Sequence, residues 1–287
     1  MRTIVVGILY PKVRGFLGDY IQSINSQTEK NFELFLFDNH FGDTTQIISE
    51  LDKSISVRII PILEESSSII LVRKIILDVL RKEIADNIIF TDTDDFFDKH
   101  RVELMTLALE TEQIVFSDIV AVDVNGNKLD RKSFLSGINE VVFEDLINKN
   151  LLGFSHTGIK WELLSHVFPY EDDLKVGDWW FFACLLSNGI KAKKIEGSVV
   201  YYRQHQANLA GMKQILTPKD LDWAMAVKIS QCKCVLKYLS GEQASQVRGE
   251  LDNVLTLQKK LSDSTEMENH LLFLNKLDKV FAWWECV

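Results

Sequence analysis

The sequence predicts an α/β fold, a mostly parallel central sheet flanked by helices, followed by a helical C-terminal extension. Three observations carry this expectation. From residue 3 to residue 90, short and continuously apolar runs alternate with segments of helical period, the pattern of strands covered on both faces. Two of those runs end in acidic residues, at Asp38 and at Asp92, where sheets of this kind collect ligands. From Thr217 onward the strand-like runs give way to helical spacing, which divides the chain into residues 1–211 and 212–287.

The elements follow in order. Thr3 to Leu9 is a continuous apolar strand. Phe16 to Ser26 places Leu17, Tyr20, Ile21 and Ile24 on one helical stripe. NFELFLFDN is a second strand, TTQIISEL a helix and SVRIIPIL a third strand. SIILVRKIILDVLRKEI is a strongly amphipathic helix leading into the strand NIIF. DKHRVELMTLAL is helical. QIVFSDIVAVDVNGNKL reads as two strand-like runs around Asn125-Gly126, a hairpin signal. VVFEDLINKN reads as a helix, and DWWFFACLLSNGI as a helix closed by Gly189. KAKKI and SVVYYRQH read as two later strands. Beyond Thr217, with Pro218 in the first turn, helices carry apolar residues at helical spacing, broken once at SGEQASQ.

Composition excludes several classes of function. With 46% hydrophobic and 10% aromatic residues in 287, the chain is globular. Its net charge of −9 argues against binding nucleic-acid phosphates. Four cysteines without metal-ligand spacing read as reduced thiols, which places the protein in the cytoplasm. No run approaches the ~20 apolar residues that span a bilayer, so any membrane contact is peripheral, on the inner face.

NIIFTDTDDFF poses the chemical question: Asp92, Asp94 and Asp95 crowd one loop at a strand end. Like charges this close need a cation or water. The spacing suits Mg²⁺ or Mn²⁺, hard ions that take few protein ligands when substrate phosphates supply the rest. A solvated acidic loop capping the next helix is the alternative.

The surroundings of that loop decide in favour of a site. FLGDYIQSINSQTEKNFELFLFDNHFGDT, LVRKIILDVL, IIFTDTDDFF, VFSDIVAVDVNGN, GDWWFFACLLSNGIKAKKI and VVYYRQHQANLAG, in this order, resemble the family 2 glycosyltransferases over residues 3–211. The resemblance implies the GT-A fold, a nucleoside-diphosphate sugar donor, a divalent metal and inversion at the anomeric carbon. It assigns Asp38 and Asn39 to the nucleobase, Arg73 to the diphosphate and Asp92 to the ribose. It makes Asp94 a metal ligand and Asp95 a support for the loop, and it puts Arg203 with the donor and His205 with the metal. Asp178 takes the place of the general base. Trp179, Trp180 and His156 are candidates for the acceptor pocket.

Other readings of the same residues stay open. Asp38 also fits a strand-end turn, Arg73 a helix-surface charge and Asp178 an N-terminal helix cap. One of Trp179 and Trp180 fits the core. Asn39 stands where many members have an aspartate that reads uracil; an amide both donates and accepts, so another base is admissible. Gly177 replaces the acidic residue that usually precedes the base. The QxxRW signature of processive synthases is absent, which favours transfer of a single sugar over polymer extrusion; a glycan or lipid-linked glycan acceptor and a role in bacterial surface-polysaccharide synthesis are what the resemblance implies. The C-terminal helices pack on the main domain, form a homodimer contact, or bring Trp283-Trp284 to a membrane interface. The rival functions are a sugar-nucleotide nucleotidyltransferase, a haloacid-dehalogenase-like phosphatase, and a homologue that binds nucleotide sugar or glycan without turnover.

Overall fold

The computed structural model describes the chain except residues 64–67, 168, 172, 207, 209–210 and 278–279. The acidic loop before Asp178 and the segment after Arg203 thus each include residues outside the described set.

β1 (Thr3–Leu9), α1 (Leu17–Asn25), β2 (Glu33–Asp38), α2 (Thr45–Glu50), β3 (Ser56–Pro61), α3 (Ile69–Leu80) and β4 (Asn87–Phe90) form in the predicted order. β1, β4 and the middle of β2 are buried because both faces are covered, while β3 is the half-exposed edge strand. Ile4, Val6 and Ile8 of β1 join Phe35, Phe37, Ile88 and Phe90 in one core with α3. Val5, Leu9, Leu34, Leu36 and Ile89 point the other way, into a second core with α1 and α2. A period of two divides each strand between the two layers.

β5 (Phe96–Phe97), α4 (Arg101–Ala108), β6 (Ile114–Val122), β7 (Glu140–Val141), β8 (Thr157–Lys160), α5 (Gly177–Leu186) and β9 (Ala192–Arg203) complete the sheet region. The strand order is β3-β2-β1-β4-β8-β6-β9-β5, with β7 on β9. β1 to β4 pair in parallel, as do β6 and β9, but β8 runs antiparallel to both β4 and β6. The sheet is therefore mixed beyond β4. The carboxyl ends of β1, β2 and β4 share one edge, because Leu9 pairs Asp38 and Val6 pairs Phe90.

Several local expectations are corrected. VVFEDLINKN is not an α-helix: Glu140–Val141 pair with β9, and Phe143–Leu146 make a single 3₁₀ turn. Two adjacent β-branched residues at a free sheet edge favour the strand. At Asn125-Gly126 a tight turn does form, with Gly126 at φ +85° and Asp123 Oδ1 accepting from Asn125 N and Asn127 N. The returning run makes only a bridge from Val122 to Lys128, not a strand. KAKKI and SVVYYRQH belong to one strand, β9, which bulges against β6 between Phe116 and Asp118.

α6 (Pro218–Val235), α7 (Gly241–Leu261) and α8 (Ser264–Asn275) follow. Leu221, Met225 and Val254 enter the same core as α3 and α5. Trp283 and Trp284 are 5% and 8% exposed, so they are enclosed by protein and not presented to a membrane. Among the described residues no helix is long and apolar enough to cross a bilayer. The cysteines are free and buried.

Candidate active site

The acidic loop follows β4 and is fastened to β1 from below. Thr91 Oγ1 donates to Val6 O at 2.7 Å, and Thr93 Oγ1 donates to Ile8 O. Alternation in T-D-T-D sends the threonines into the sheet and frees Asp92 and Asp94 to face the other way. Gly7 lies beneath: a Cβ there would meet Tyr20 Oη at 2.7 Å and Thr93 Cγ2 at 3.1 Å, so only glycine lets these groups close under the loop.

Each carboxylate is compensated differently. Asp92 accepts from Arg73 Nη2 at 2.6 Å. Arg73, from α3, lies over the Phe154 ring at 4.5 Å, and its burial argues against a plain surface charge. Asp94 Oδ2 accepts from Tyr10 Oη at 3.0 Å and lies 3.0 Å from His205 Nε2. Asp95 is 1% exposed and accepts from Arg203 N at 2.9 Å. Burial, then the charges of Asp94 and Asp92, push its carboxyl well above the usual range. Burial also raises Asp92, opposed chiefly by Arg73.

Arg203 is placed otherwise than expected. It is 1% exposed and lies between the Phe16 and Phe96 rings, at 5.0 and 5.2 Å. Nε donates to Asp94 O at 2.9 Å, Nη1 to Val124 O at 2.7 Å, and Nη2 to Asp19. Buried and bonded through each of its three nitrogens, the guanidinium holds the acidic loop in place and is not presented to a donor phosphate. His205, just after it, stacks on Phe16 at 4.8 Å and faces Asp94.

Asp38 and Asn39 stand at the end of β2, separated from β4 by β1. Asp38 Oδ1 accepts from Phe41 N at 2.7 Å, so the turn-forming reading is realised. Asn39 N donates to Leu9 O at 2.8 Å, extending the strand pairing, while Asn39 Oδ1 is buried without a protein partner.

Asp178 opens α5, a helix apolar on every side except at this residue. Val176 holds the cap position. Asp178 Oδ1 accepts from Trp179 N at 2.7 Å and from Asn150 Nδ2 at 3.2 Å. Burial raises its carboxyl to about 6, against the stabilising bond from Trp179 N, the Arg73 charge and Asn150. Gly153 allows the approach, since a Cβ there would lie 3.3 Å from Asp178 Oδ2 and 3.2 Å from His156 Cε1.

A cavity of about 90 Å³ brings together Asp92, Asp178, Asn150, His156, Trp283 and Trp284. Trp179 and Trp180 are not in its wall. Both are fully buried, and Trp179 Nε1 donates to Leu146 O at 2.7 Å. A helix apolar all round has no face to offer a ligand. His156 is 2% exposed and its ring is held neutral, with burial drawing it down to about 3. Sequence reading missed Tyr10, Asn150 and the place of Trp283 and Trp284. Tyr10 was signalled by its position just past the end of β1; Asn150 carried no signal.

Asp94 and His205 fit a divalent ion in part. A carboxylate oxygen and an imidazole nitrogen face one point, but among the described residues no group of three or more such ligands occurs. Substrate oxygens would have to complete the set.

Solved structures share this architecture. TarS 1-349 of S. aureus in complex with UDP-GlcNAc matches with TM-score 0.62 at 15% identity, covering 88% of this chain and 72% of that one. Full TarS matches at TM-score 0.63 and 16% identity over 94% of this chain, which spans 47% of its length. Mannosyltransferase PcManGT of Pyrobaculum calidifontis, in complex with GDP-Man and Mn²⁺, matches at TM-score 0.59 and 13% identity, over 87% and 68% of the two chains. No protein-family model and no curated protein matches the sequence. The chain has the GT-A fold, as the resemblance implied.

Proposed function

We propose that this protein is an inverting, metal-dependent glycosyltransferase that moves a single sugar from a nucleoside-diphosphate sugar to a hydroxyl acceptor. The observation that carries the reading is the pairing of two unlike acidic centres on one crevice. The Asp92–Asp94 loop is braced by Arg73, Tyr10 and His205. Asp178, poised near neutral pH, shares a cavity with Asp92. The solved neighbours add support, since their complexes hold UDP-GlcNAc, GDP-Man with Mn²⁺, or UDP, GalNAc and Mn²⁺.

In this reading Asn39 Oδ1 accepts from the nucleobase, Asp92 approaches the ribose, and Arg73 balances the diphosphate end. Asp94 and His205 hold Mn²⁺ or Mg²⁺; a mixed oxygen and nitrogen set suits Mn²⁺ better. The ion's chemistry is charge neutralisation on the departing diphosphate. Asp178 takes the proton of the acceptor hydroxyl as it attacks from the opposite face, which inverts the anomeric centre. Shared binding supplies proximity. Arg203 and Asp95 keep the loop in shape. A glycan or lipid-linked glycan acceptor and a role in bacterial surface-polysaccharide synthesis, in the cytoplasm or at the inner membrane face, extend the family analogy. Leu272, Phe273 and Leu277 are among the exposed apolar side chains open to a peripheral or dimer contact.

Incubation with Mn²⁺ and a panel of sugar nucleotides, reading released nucleotide, is the test. Release of a nucleoside diphosphate that stops on adding EDTA supports the reading. Release of pyrophosphate from a nucleoside triphosphate and a sugar phosphate would favour a nucleotidyltransferase instead.

A further inference from the structure

Arg101 follows the acidic loop as the first residue of α4, and it is 0% exposed. Arginine is rarely this buried without a charged partner. Here Nη2 donates to two carbonyls instead, Phe90 O at 2.8 Å and Ser155 O at 2.9 Å. Nε and Nη1 have no protein partner, which leaves three of the five guanidinium N–H groups unpaired by protein. Burial pulls the guanidinium down to about 10, opposed by Tyr20, Asp95 and Asp92, so it is charged at neutral pH. An apolar side chain of similar length would avoid the desolvation of a charge. Stability alone therefore does not account for an arginine at this position.

The two carbonyls belong to different parts of the site. Phe90 ends β4, two residues before Asp92. Ser155 is the middle residue of the 3₁₀ turn Phe154–His156. That turn starts beside Gly153, whose backbone comes so near the base that a Cβ there would lie 3.3 Å from Asp178 Oδ2. Thr157 Oγ1 donates to Gly153 O at 2.9 Å and closes the turn. A second arginine meets the same turn: Arg73 lies over the Phe154 ring at 4.5 Å while it holds Asp92. The Phe154–His156 turn thus stands between the two acidic centres and is gripped by Arg73 on its ring and by Arg101 on its backbone. Arg101 is itself seated over the Phe97 ring at 4.9 Å, two residues beyond Asp95.

We propose that Arg101 is a positioning residue for the transfer: through Phe90 O and Ser155 O it fixes the separation between the Asp92–Asp94 loop and Asp178. The inference rests on the glycosyltransferase reading and adds to it the residue that sets the geometry of the two centres. Fully buried, Arg101 touches no substrate and acts only through the two backbones it joins. A donor held by one centre and a hydroxyl deprotonated by the other react only at the right distance, and a misplacement of about 1 Å costs on the order of 10²-fold in rate. Directional bonds from a single nitrogen to both backbones hold such a distance more closely than apolar packing does. Arg73 cannot do this alone, since its partner Asp92 is 31% exposed and open to water.

The test uses the full chain with Mn²⁺ and whichever sugar nucleotide it consumes, assayed well below the melting temperature of every variant. Arg101→Met removes the charge and both bonds. Arg101→Lys keeps the charge and N–H donors for the two carbonyls. We expect Arg101→Met to lower kcat by about 10–100-fold. Its affinity for the donor with Mn²⁺, read by calorimetry, should change by less than about threefold, because Arg73, Asp94 and His205 are intact. Arg101→Lys should recover most of the lost kcat. Crystal structures of the native chain and of Arg101→Met give a readout independent of turnover: the separation of Asp92 from Asp178 should change by about 1 Å or more. A native kcat in Arg101→Met overturns the proposal, as does an unchanged separation of the two centres. If Arg101→Met does not fold, Arg101→Gln, polar but uncharged, is measured in its place against the same outcomes. If the native chain consumes no sugar nucleotide, the glycosyltransferase reading fails, and the crystallographic separation still decides whether Arg101 sets the geometry of the site.

Discussion

Arg73 Nη2 and Asp92 Oδ1 lie 2.6 Å apart, and this pair ties helix α3 to the acidic loop. The arginine side chain is 10% exposed and the aspartate 31%, so the pair is only partly screened by solvent. Removing one member leaves an uncompensated charge beside two further carboxylates. Arg73→Ala is expected to lower stability by about 2–3 kcal/mol in urea unfolding, below the fully buried case because Asp92 is partly wet. A loss under about 0.5 kcal/mol would show that water already compensates Asp92.

Asp94→Ala should abolish metal-dependent donor binding while the chain stays folded. The substitution removes a ligand and also relieves repulsion with Asp92 and Asp95, whose carboxyls are raised first by burial and further by their acidic neighbours. Calorimetry with Mn²⁺ and the donor measures the first effect and a thermal melt the second. Unchanged metal-dependent affinity would take Asp94 out of the site.

Asn39 offers a buried carbonyl oxygen without a protein partner, next to an amide that donates. It is expected to accept more than one nucleobase, or to select one other than uracil. Thermal-shift screening with UDP, GDP, dTDP, CDP and CMP reads this directly. A strong and exclusive preference for UDP counts against it. Asn39→Leu should weaken the preferred nucleotide about tenfold, the worth of one buried hydrogen bond.

Asp178 also predicts how stability depends on pH. Its carboxyl is raised from 3.8 to about 6 in the folded chain, so between those values the native state binds more protons than the unfolded state. Stability therefore falls as pH rises from about 4 to 6, and the cost persists at neutral pH. Asp178→Asn removes that cost and should stabilise the protein at pH 7.5 by on the order of 1–2 kcal/mol, less than the full linkage value because the carboxylate faces a cavity. At pH 4 the two proteins should melt together. A variant less stable at pH 7.5 would mean that the carboxylate's bonds to Trp179 N and Asn150 outweigh its burial.

Much of this was legible in the residues, and the failures have physical causes. β1, β2, β4 and α3 were readable because strands covered on both faces carry apolar runs and a helix on the sheet keeps an apolar stripe; β3, half-exposed at the edge, was readable from its β-branched residues. The Asp92 loop was readable because three carboxylates after such a strand need a reason. Arg203 was read as a ligand because its partners Asp19, Phe16 and Phe96 are distant in sequence and meet only in the fold. Trp179 and Trp180 were read as a sugar platform, although a helix with no polar face already implied burial. Trp283 and Trp284 reach the cavity through a strap whose path depends on Arg131 and Lys213, contacts that no local pattern encodes.

The central claim is that Asp178 acts as the base opposite the Asp92–Asp94 centre. The most direct measurement is the pH dependence of nucleotide release during sugar transfer, for the native chain and for Asp178→Asn, at saturating donor and Mn²⁺. The account predicts a native rate that rises about tenfold per pH unit below about 6 and levels above it, since only the ionised carboxylate accepts the proton. Asp178→Asn keeps the shape and the acceptor oxygen for Trp179 N but loses the basicity. Its rate should lie roughly 10²–10⁴-fold lower and lack that limb, with donor affinity unchanged. A variant that transfers sugar at a near-native rate, with the same limb near pH 6, would contradict the account and leave Asp178 a structural residue at the start of its helix.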